Sequence, residues 1–308
     1  MSPVPKPQSA EAFKRDDAAS YDAVADRFEK YTGRFTAPIA RALVESAQLA
    51  PDAHVLDVGC GTGILSRIAA ASMASTGRVI GVDLSDGMLE QAAALARAEG
   101  VGERIEFRKG DAEHLAFPDA SFDAVVSLYA LRHFPDPMQS LREIVRVGRP
   151  GSKAAIGVGS APPWWSAGFL VGGCRAVFER MQGLTGHRPL YATRFLDQLL
   201  AKHVTPQTHL HGTADAVGDL ARAMRGVGYR DVGATWVGQS SMIASAEDFW
   251  GVQVTLSTQA RKALPTMKGK AVAALRREFD DICATQLRRG GKLVYRSGAL
   301  IVSGSRPG

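Results

Sequence analysis

The chain has 308 residues, 45% hydrophobic and 22% charged, and a formal net charge of +6. That balance excludes a disordered or fibrous chain and allows one elaborated domain or two small ones. Cys60, Cys174 and Cys283 are widely spaced, with no C-x-x-C pair. They form no disulfide framework, which fits a reducing cytoplasm.

Residues 1–16 lack the apolar run of a signal peptide and read as a flexible tail. Tyr21, Val24, Ala25, Phe28 and Tyr31 recur at helical spacing and predict a helix over Asp17–Tyr31. A second helix is expected over Ala37–Leu49, with Pro38 in its first turn. The apolar strand Val55–Val58 then runs into a turn carrying Gly59, Gly61 and Gly63, and a helix follows over Ile64–Met73.

The alternation continues. A strand over Arg78–Asp83 precedes a helix capped by Ser85 and running through Leu95. The strand Ile105–Arg108 closes on Gly110-Asp111-Ala112. Phe122–Leu128, a helix over Met138–Val147 and the strand Ala154–Val158 complete the run. Strands alternating with helices at this pitch predict a doubly wound α/β fold of the Rossmann-like kind, its mostly parallel sheet covered on both faces.

The pattern breaks at Ala161. Residues 161–213 hold Trp164, Trp165, Phe169 and a helix near Phe195–Ala201, and read as a helical cap inserted over the strand ends. The sheet pattern resumes over 214–308 with a helix over Asp219–Val227 and a strand over Val232–Val237. A helical insertion spans about 245–290, opened by a capping-box-like Ser245 and Asp248 and carrying the stripe Val272, Leu275, Phe279 and Ile282. With the last strand, Ala299–Ser303, the count is seven, and the closing pair gives the sheet an antiparallel edge. Residues 17–160 are thus the expected core.

Several classes fall away. The uncharged stretch 154–174 is interrupted by Pro162 and Pro163, so it is no membrane span. The basic residues are dispersed among acids, which argues against a nucleic-acid partner. His209 and His211 lack a third ligand at a telling spacing, so no metal site is expected.

The glycine turn opens a helix, whose free N–H groups and dipole favour a nucleotide-type ligand. Its spacing, Gly59-x-Gly61-x-Gly63, departs from the dinucleotide pattern. Asp57 precedes the turn, Asp83 ends the second strand and Asp111 ends the third. Three carboxylates at three strand ends would repel a diphosphate. They suit a neutral ribose on a positively charged ligand.

These segments, with Ser127-Leu128-Tyr129-Ala130-Leu131-Arg132-His133-Phe134-Pro135-Asp136, resemble the ordered motifs of class I S-adenosylmethionine-dependent methyltransferases. The resemblance is to the subgroup that includes the ubiquinone/menaquinone-biosynthesis C-methyltransferases (methyltransferase type 11), and it covers about Tyr21 to Ser160. It implies S-adenosylmethionine as cofactor. Gly59, Cys60 and Gly61 would cradle its methionine part and Asp57 would anchor the turn or the amino group. Asp83 would take the ribose hydroxyls, Leu84 and Met88 would pack on the adenine, and Asp111 with the Ala112 N–H would meet the adenine edge. Ser127 and Leu128 would line the methyl exit, and Tyr21 would close over the cofactor.

The resemblance further implies methyl transfer to a small, apolar or aromatic metabolite at oxygen, nitrogen or carbon, by alignment and desolvation. Should the acceptor lose a proton, His133 is the candidate base, with Tyr129 and Tyr21 behind it. Trp164, Trp165, Phe169, Trp236 and Trp250 would wall the acceptor pocket. The alternatives are an RNA or protein methyltransferase and a non-catalytic cofactor-binding protein of the same fold.

Overall fold

The structure is a computed structural model, and it describes residues 9–161, 190–203 and 219–308. The expected cap over 161–213 falls mostly outside those residues, and with it Trp164, Trp165, Phe169, Cys174, His209 and His211.

The strands are β1 His54–Val58, β2 Arg78–Asp83, β3 Ile105–Lys109, β4 Phe122–Leu128, β5 Gly148–Gly159, β6 Leu190–Tyr191, β7 Arg230–Ile243 and β8 Leu293–Ser305. They form one sheet in the order β3-β2-β1-β4-β5-β8, with β7 on the far side of β8 and the two-residue β6 beside the β8 start. From β3 to β5 every pairing is parallel. β8 runs antiparallel to both β5 and β7. The seven expected strands and the antiparallel edge are all present.

The helices are α1 Ala10–Asp22, α2 Ala25–Ala47, α3 Ile64–Ser72, α4 Asp86–Ala98 and α5 Pro137–Val147. Further along come α6 Ala192–Leu200, α7 Leu220–Gly226, α8 Ala246–Leu256, α9 Thr258–Ala263 and α10 Gly269–Arg288. Among the described residues no helix is long and apolar enough to cross a membrane.

Successive strand residues feed opposite faces, as the period of a pleated strand demands. Val55, Val79 and Val126 pack with Leu43 of α2 and Ala69 of α3 on one face. Leu56, Val82 and Val125 pack with Leu141 and Ile144 of α5 and Met224 of α7 on the other. A third cluster is separate. Phe35, Leu199, Phe249, Leu275, Phe279 and Cys283 close on one another, so the inserted helices own a core.

The helix expected over Asp17–Tyr31 breaks at Ala23–Val24 between α1 and α2, and β5 begins six residues before the expected Ala154. Three further boundaries bear on the cavity. Helix α1 starts at Ala10, because Ser9 caps it by accepting the Ala12 N–H and because Phe13 and Lys14 are buried. Residues 10–16 therefore belong to a helix and not to a tail. Second, α2 is one helix running through Pro38. A proline strips the carbonyl four residues earlier of its donor. Here Gln239 Nε2 donates to the Arg34 and Phe35 carbonyls, at 3.4 and 2.8 Å, and supplies what is missing. Third, β7 and β8 reach far beyond Val232–Val237 and Ala299–Ser303. They pair with each other from Gly233–Ser303 out to Ile243–Leu293, past the end of β5. That extension is a two-stranded ribbon whose sequence, Gly238-Gln239-Ser240-Ser241, carries no hydrophobic alternation.

Candidate active site

Above the carboxyl ends of the parallel strands lies a cavity of about 1170 Å³. Its near end is built on the glycine turn. The Gly59 and Cys60 N–H groups both donate to the Val82 carbonyl, at 2.8 and 3.0 Å, and clip the turn to β2. Gly59 has φ of +70°, and a Cβ there would collide with Ala130. Gly61, with φ of +52°, differs: a Cβ there would meet nothing within 4 Å. Its backbone faces free space, which a ligand can enter.

Two carboxylates flank this turn. Asp83 accepts from the Gly61 N–H at 2.8 Å on Oδ2 and from the Ser85 N–H at 3.0 Å on Oδ1. Each oxygen keeps a lone pair for a further donor. Burial raises the Asp83 carboxyl, and the backbone donors oppose it. Asp57 accepts from Ser66 Oγ at 2.6 Å, while its other oxygen is buried with no partner. Burial, with Asp83 nearby, pushes Asp57 up to about 7. Burial also pushes the Cys60 thiol well up, so it stays protonated.

The side wall comes from β2, β3 and α4. Leu84, Met88, Gly110 and Ala112 all line the cavity. Ser85 caps α4 by accepting the Met88 N–H at 3.1 Å. Met88 packs with Val24 and Ala25, flanked by Tyr21 and Phe28. Asp111 accepts from the Glu113 N–H at 2.9 Å and from Lys14 Nζ at 2.7 Å. Burial alone would raise it, but Lys14 outweighs that and holds it below the usual carboxylate range. Lys14 Nζ also lies 2.8 Å from Glu113.

Helix α1 closes over this end. Lys14, Asp17, Ala18 and Tyr21 form its cavity-facing side. Asp22 continues the closure, accepting from Ser85 Oγ at 2.6 Å and the Gly87 N–H at 2.9 Å. His133 is engaged at both ring nitrogens. Nδ1 lies 2.9 Å from Asp17 Oδ2, and Nε2 lies 3.2 Å from the Tyr21 hydroxyl. A carboxylate only accepts, which assigns the ring proton to Nδ1 and leaves Nε2 to accept from Tyr21. Burial would raise the Asp17 carboxyl, but His133, Arg261 and Lys262 outweigh it and hold it low. Arg261 lies over the Tyr21 ring at 4.0 Å.

The far end is walled by Thr32, Tyr129, Trp236, Leu256 and Tyr295, with Ser160, Ser240 and Ser297 among them. The Trp236 indole lies on Gly238 and Gly298, which face each other across the ribbon, and its Nε1 donates to the Ser160 carbonyl at 3.3 Å. A side chain on either glycine would collide with that ring.

Of the residues singled out in the sequence, the structure gathers Tyr21, Asp57, Gly59, Cys60, Gly61, Asp83, Leu84, Met88, Ala112, Leu128, Tyr129, His133 and Trp236 around this cavity. Asp111 sits beside Gly110 and Ala112 through Lys14. Ser127 is not brought to the wall: it is 1% exposed and its hydroxyl donates to the Val58 carbonyl at 2.7 Å. Trp250 is also elsewhere. It packs edge-on to Phe279 at 5.0 Å, under Arg276, because the inserted helices need a core. Sequence reading missed Lys14 and Asp17, although their spacing of seven and four residues to Tyr21 marks one helix face. It missed the ribbon residues Gln239, Ser240, Tyr295 and Ser297 with no local signal to find them.

Residues 56–156 match the family described as "Methyltransferase domain". That stretch runs from within β1 to within β5 and holds the turn and all three carboxylates. Residues 56–156 are thus a methyltransferase domain. A demethylmenaquinone methyltransferase of Symbiobacterium thermophilum is 36% identical over 158 residues, 48% of this chain and 60% of that protein. The chain thus spans less than two thirds of that relative's length. A nocamycin O-methyltransferase of Saccharothrix syringae is 29% identical over 231 residues, 70% of this chain and 79% of that one. Among solved structures, the [4+2]-cyclase SpnF superposes on 99% of this chain and 99% of its own with a TM-score of 0.55 at 19% identity, a likeness of fold. The methyltransferase domain ends before the ribbon and the inserted helices, which build the far end of the cavity.

Proposed function

We propose that the chain transfers the methyl group of S-adenosylmethionine to a small-molecule acceptor held at the far end of the same cavity. The observation that carries this reading is the continuity of that cavity. It runs from a carboxylate-lined glycine turn to a mixed aromatic and hydroxyl wall without a partition. The demethylmenaquinone, 2-phytyl-1,4-naphtoquinone and nocamycin methyltransferases among its relatives make a ring-bearing acceptor the natural class.

The residues fit the cofactor. The unpartnered Asp57 oxygen suits a cationic amino group. Asp83 retains acceptor capacity for a ribose diol, and the open face of Gly61 leaves room beside it. Leu84 and Met88 offer an apolar adenine wall, and Asp111 with Ala112 its polar edge. Bound there, the cofactor supplies an electrophilic methyl on a sulfonium, which needs alignment and dryness more than acid or base.

A proton lost by the acceptor has a route in this chain's own groups. Tyr21 can take it while passing its own proton to His133 Nε2, and Asp17 steadies the imidazolium that forms. Asp17 is then a positioning residue for His133. Burial raises the hydroxyls of both Tyr21 and Tyr129, but Tyr129, also on the wall, has no imidazole to take its proton.

Calorimetry with S-adenosylhomocysteine tests the core of the proposal. Wild type should bind at micromolar or better, and Asp83→Ala should bind at least about 100-fold more weakly, since charge-assisted bonds are worth about 1.5–3 kcal/mol each. Unchanged affinity in the variant would remove the ribose assignment. Absence of binding in wild type would remove the methyl-transfer reading.

A further inference from the structure

Arg261, on the inserted helix α9, is 4% exposed. A guanidinium keeps its charge throughout the working pH range, and burying one without a carboxylate is costly. Among the described residues the hydrogen bonds of Arg261 nonetheless all go to neutral oxygens. Nη1 donates to the Thr255 and Leu256 carbonyls at 2.8 and 3.2 Å, Nη2 to Thr258 Oγ1 at 3.2 Å and Nε to Ser20 Oγ at 3.3 Å. Arg67, also buried, differs: it pairs with Glu29 and Glu99 at 2.7 and 2.9 Å.

Closing the end of α8 accounts for the two carbonyl bonds, but an exposed cation serves that purpose equally well. It does not account for where the guanidinium is buried. Arg261 lies 4.0 Å over the Tyr21 ring, and Ser20, which it reaches, donates in turn to the Asp17 carbonyl at 2.7 Å. Tyr21, Asp17 and His133 are the groups that move a proton in the proposed reaction. The other charges nearby are committed elsewhere. Lys262 lies over the Phe13 ring at 5.3 Å, and Lys14 pairs with Asp111 and Glu113. Asp22 is held by Ser85 and Gly87, Asp83 by Gly61 and Ser85, and Asp86 by Lys109. Burial raises the Tyr21 hydroxyl, Asp17 and Asp83 raise it further, and Arg261 opposes all three.

We infer that Arg261 is a positioning residue for the proton step, lent to the methyltransferase site by the inserted helices. Its charge holds the Tyr21 oxygen as a phenolate while His133 Nε2 takes the phenol's proton, and Asp17 holds the imidazolium so formed. The acceptor's proton then passes to the Tyr21 oxygen as the acceptor atom bonds the methyl carbon, whose former bonding pair stays on sulfur. His133, its side chain 30% exposed, returns the remaining proton to solvent. Each charge of the pair is thus matched from a different helix, the imidazolium by Asp17 of α1 and the phenolate by Arg261 of α9. This role rests on the methyl-transfer reading, which makes Tyr21 the base.

The test uses the ligand-free full chain with Tyr21 replaced by 3,5-difluorotyrosine, whose ionisation is followed by fluorine NMR as pH rises. With Arg261 in place, the labelled phenol should show an ionisation constant at least about tenfold larger than in the Arg261→Met background, where an apolar chain fills the same space. Arg261→Lys, which restores the charge, should recover most of that difference. Unlabelled Arg261→Met should bind S-adenosylhomocysteine within about threefold of the wild type. Equal ionisation in the two backgrounds, or a lysine variant that behaves like the methionine one, would overturn the inference. So would loss of S-adenosylhomocysteine binding in Arg261→Met, which would make Arg261 a clasp for α1. Should the wild type itself fail to bind S-adenosylhomocysteine, the methyl-transfer reading falls by itself, and the fluorine titration still decides whether Arg261 governs Tyr21.

Discussion

The two ends of the cavity are made differently. The near end is local: Asp57, Gly59 and Gly61 lie within five residues, and Asp83 and Asp111 each end the next strand across the sheet. The far end draws Thr32 from α2, Tyr129 from the turn after β4, Trp236 and Ser240 from β7 and Ser297 from β8. A local site tolerates change in its surroundings, whereas an assembled one depends on every element that frames it. The near end also falls within the methyltransferase domain, and the far end lies largely outside it. On the proposed function, the shared chemistry is housed in the part that folds from neighbouring segments, and selectivity in the part that does not.

The largest expected effect pulls the ends apart. Phe279→Ala empties the centre of the inserted helices, where Phe279 is fully buried against Phe195 and Phe249. Such truncations cost about 3–5 kcal/mol. Protease sensitivity should appear first in residues 246–288, while S-adenosylhomocysteine still protects the glycine turn from hydrogen exchange. Simultaneous loss of both ends would mean that the inserted helices hold the domain itself together.

A pair of glycine variants sharpens the near end. Gly59→Ala combines a positive φ with a collision at Ala130 and should lower stability by about 2–4 kcal/mol in thermal melts. Gly61→Ala meets no protein atom. It should cost only about 1–2 kcal/mol of folding stability from its backbone, yet weaken S-adenosylhomocysteine more than about tenfold. Equal behaviour of the two would show that no ligand approaches Gly61.

Asp57 makes a pH-dependent difference. The folded chain keeps its proton up to about pH 7, whereas an unfolded aspartate releases it near pH ~4. Between those values the folded state binds more protons. Its contribution to stability is complete below the lower value and declines as pH rises through the upper one. Asp57→Asn removes the decline, which amounts to at most about 1.4 kcal/mol per pH unit in that window. The variant should therefore gain on wild type in melting temperature as pH rises from about 5 to about 8. A parallel pair of curves would refute the raised carboxyl.

The smallest effect concerns helix α1. Asp17→Asn keeps the size of the side chain but removes the charge that holds His133. With an acceptor that must lose a proton, turnover should fall and its pH profile should shift, while S-adenosylhomocysteine affinity changes by less than about threefold. An unshifted profile would leave the contact a purely structural clasp.

What the sequence determined by itself was the glycine turn with its carboxylates and the succession of strands and helices. The period-two strands, the glycine turn and the acid closing each strand are short-range patterns, and a parallel α/β sheet brings successive strand ends together whatever follows them. Tertiary structure alone decided three things. It joined α2 through Pro38, because the replacement donor, Gln239, lies 201 positions away in the chain. It moved Trp250 into a helical core and Trp236 onto the cavity, since both are aromatic residues in apolar surroundings and only packing distinguishes them. And it brought Gln239, Ser240, Tyr295 and Ser297 of the ribbon to the cavity. Isolated serines on a polar ribbon carry no periodicity, so their meaning exists only once β7 and β8 have paired beyond the edge of the sheet.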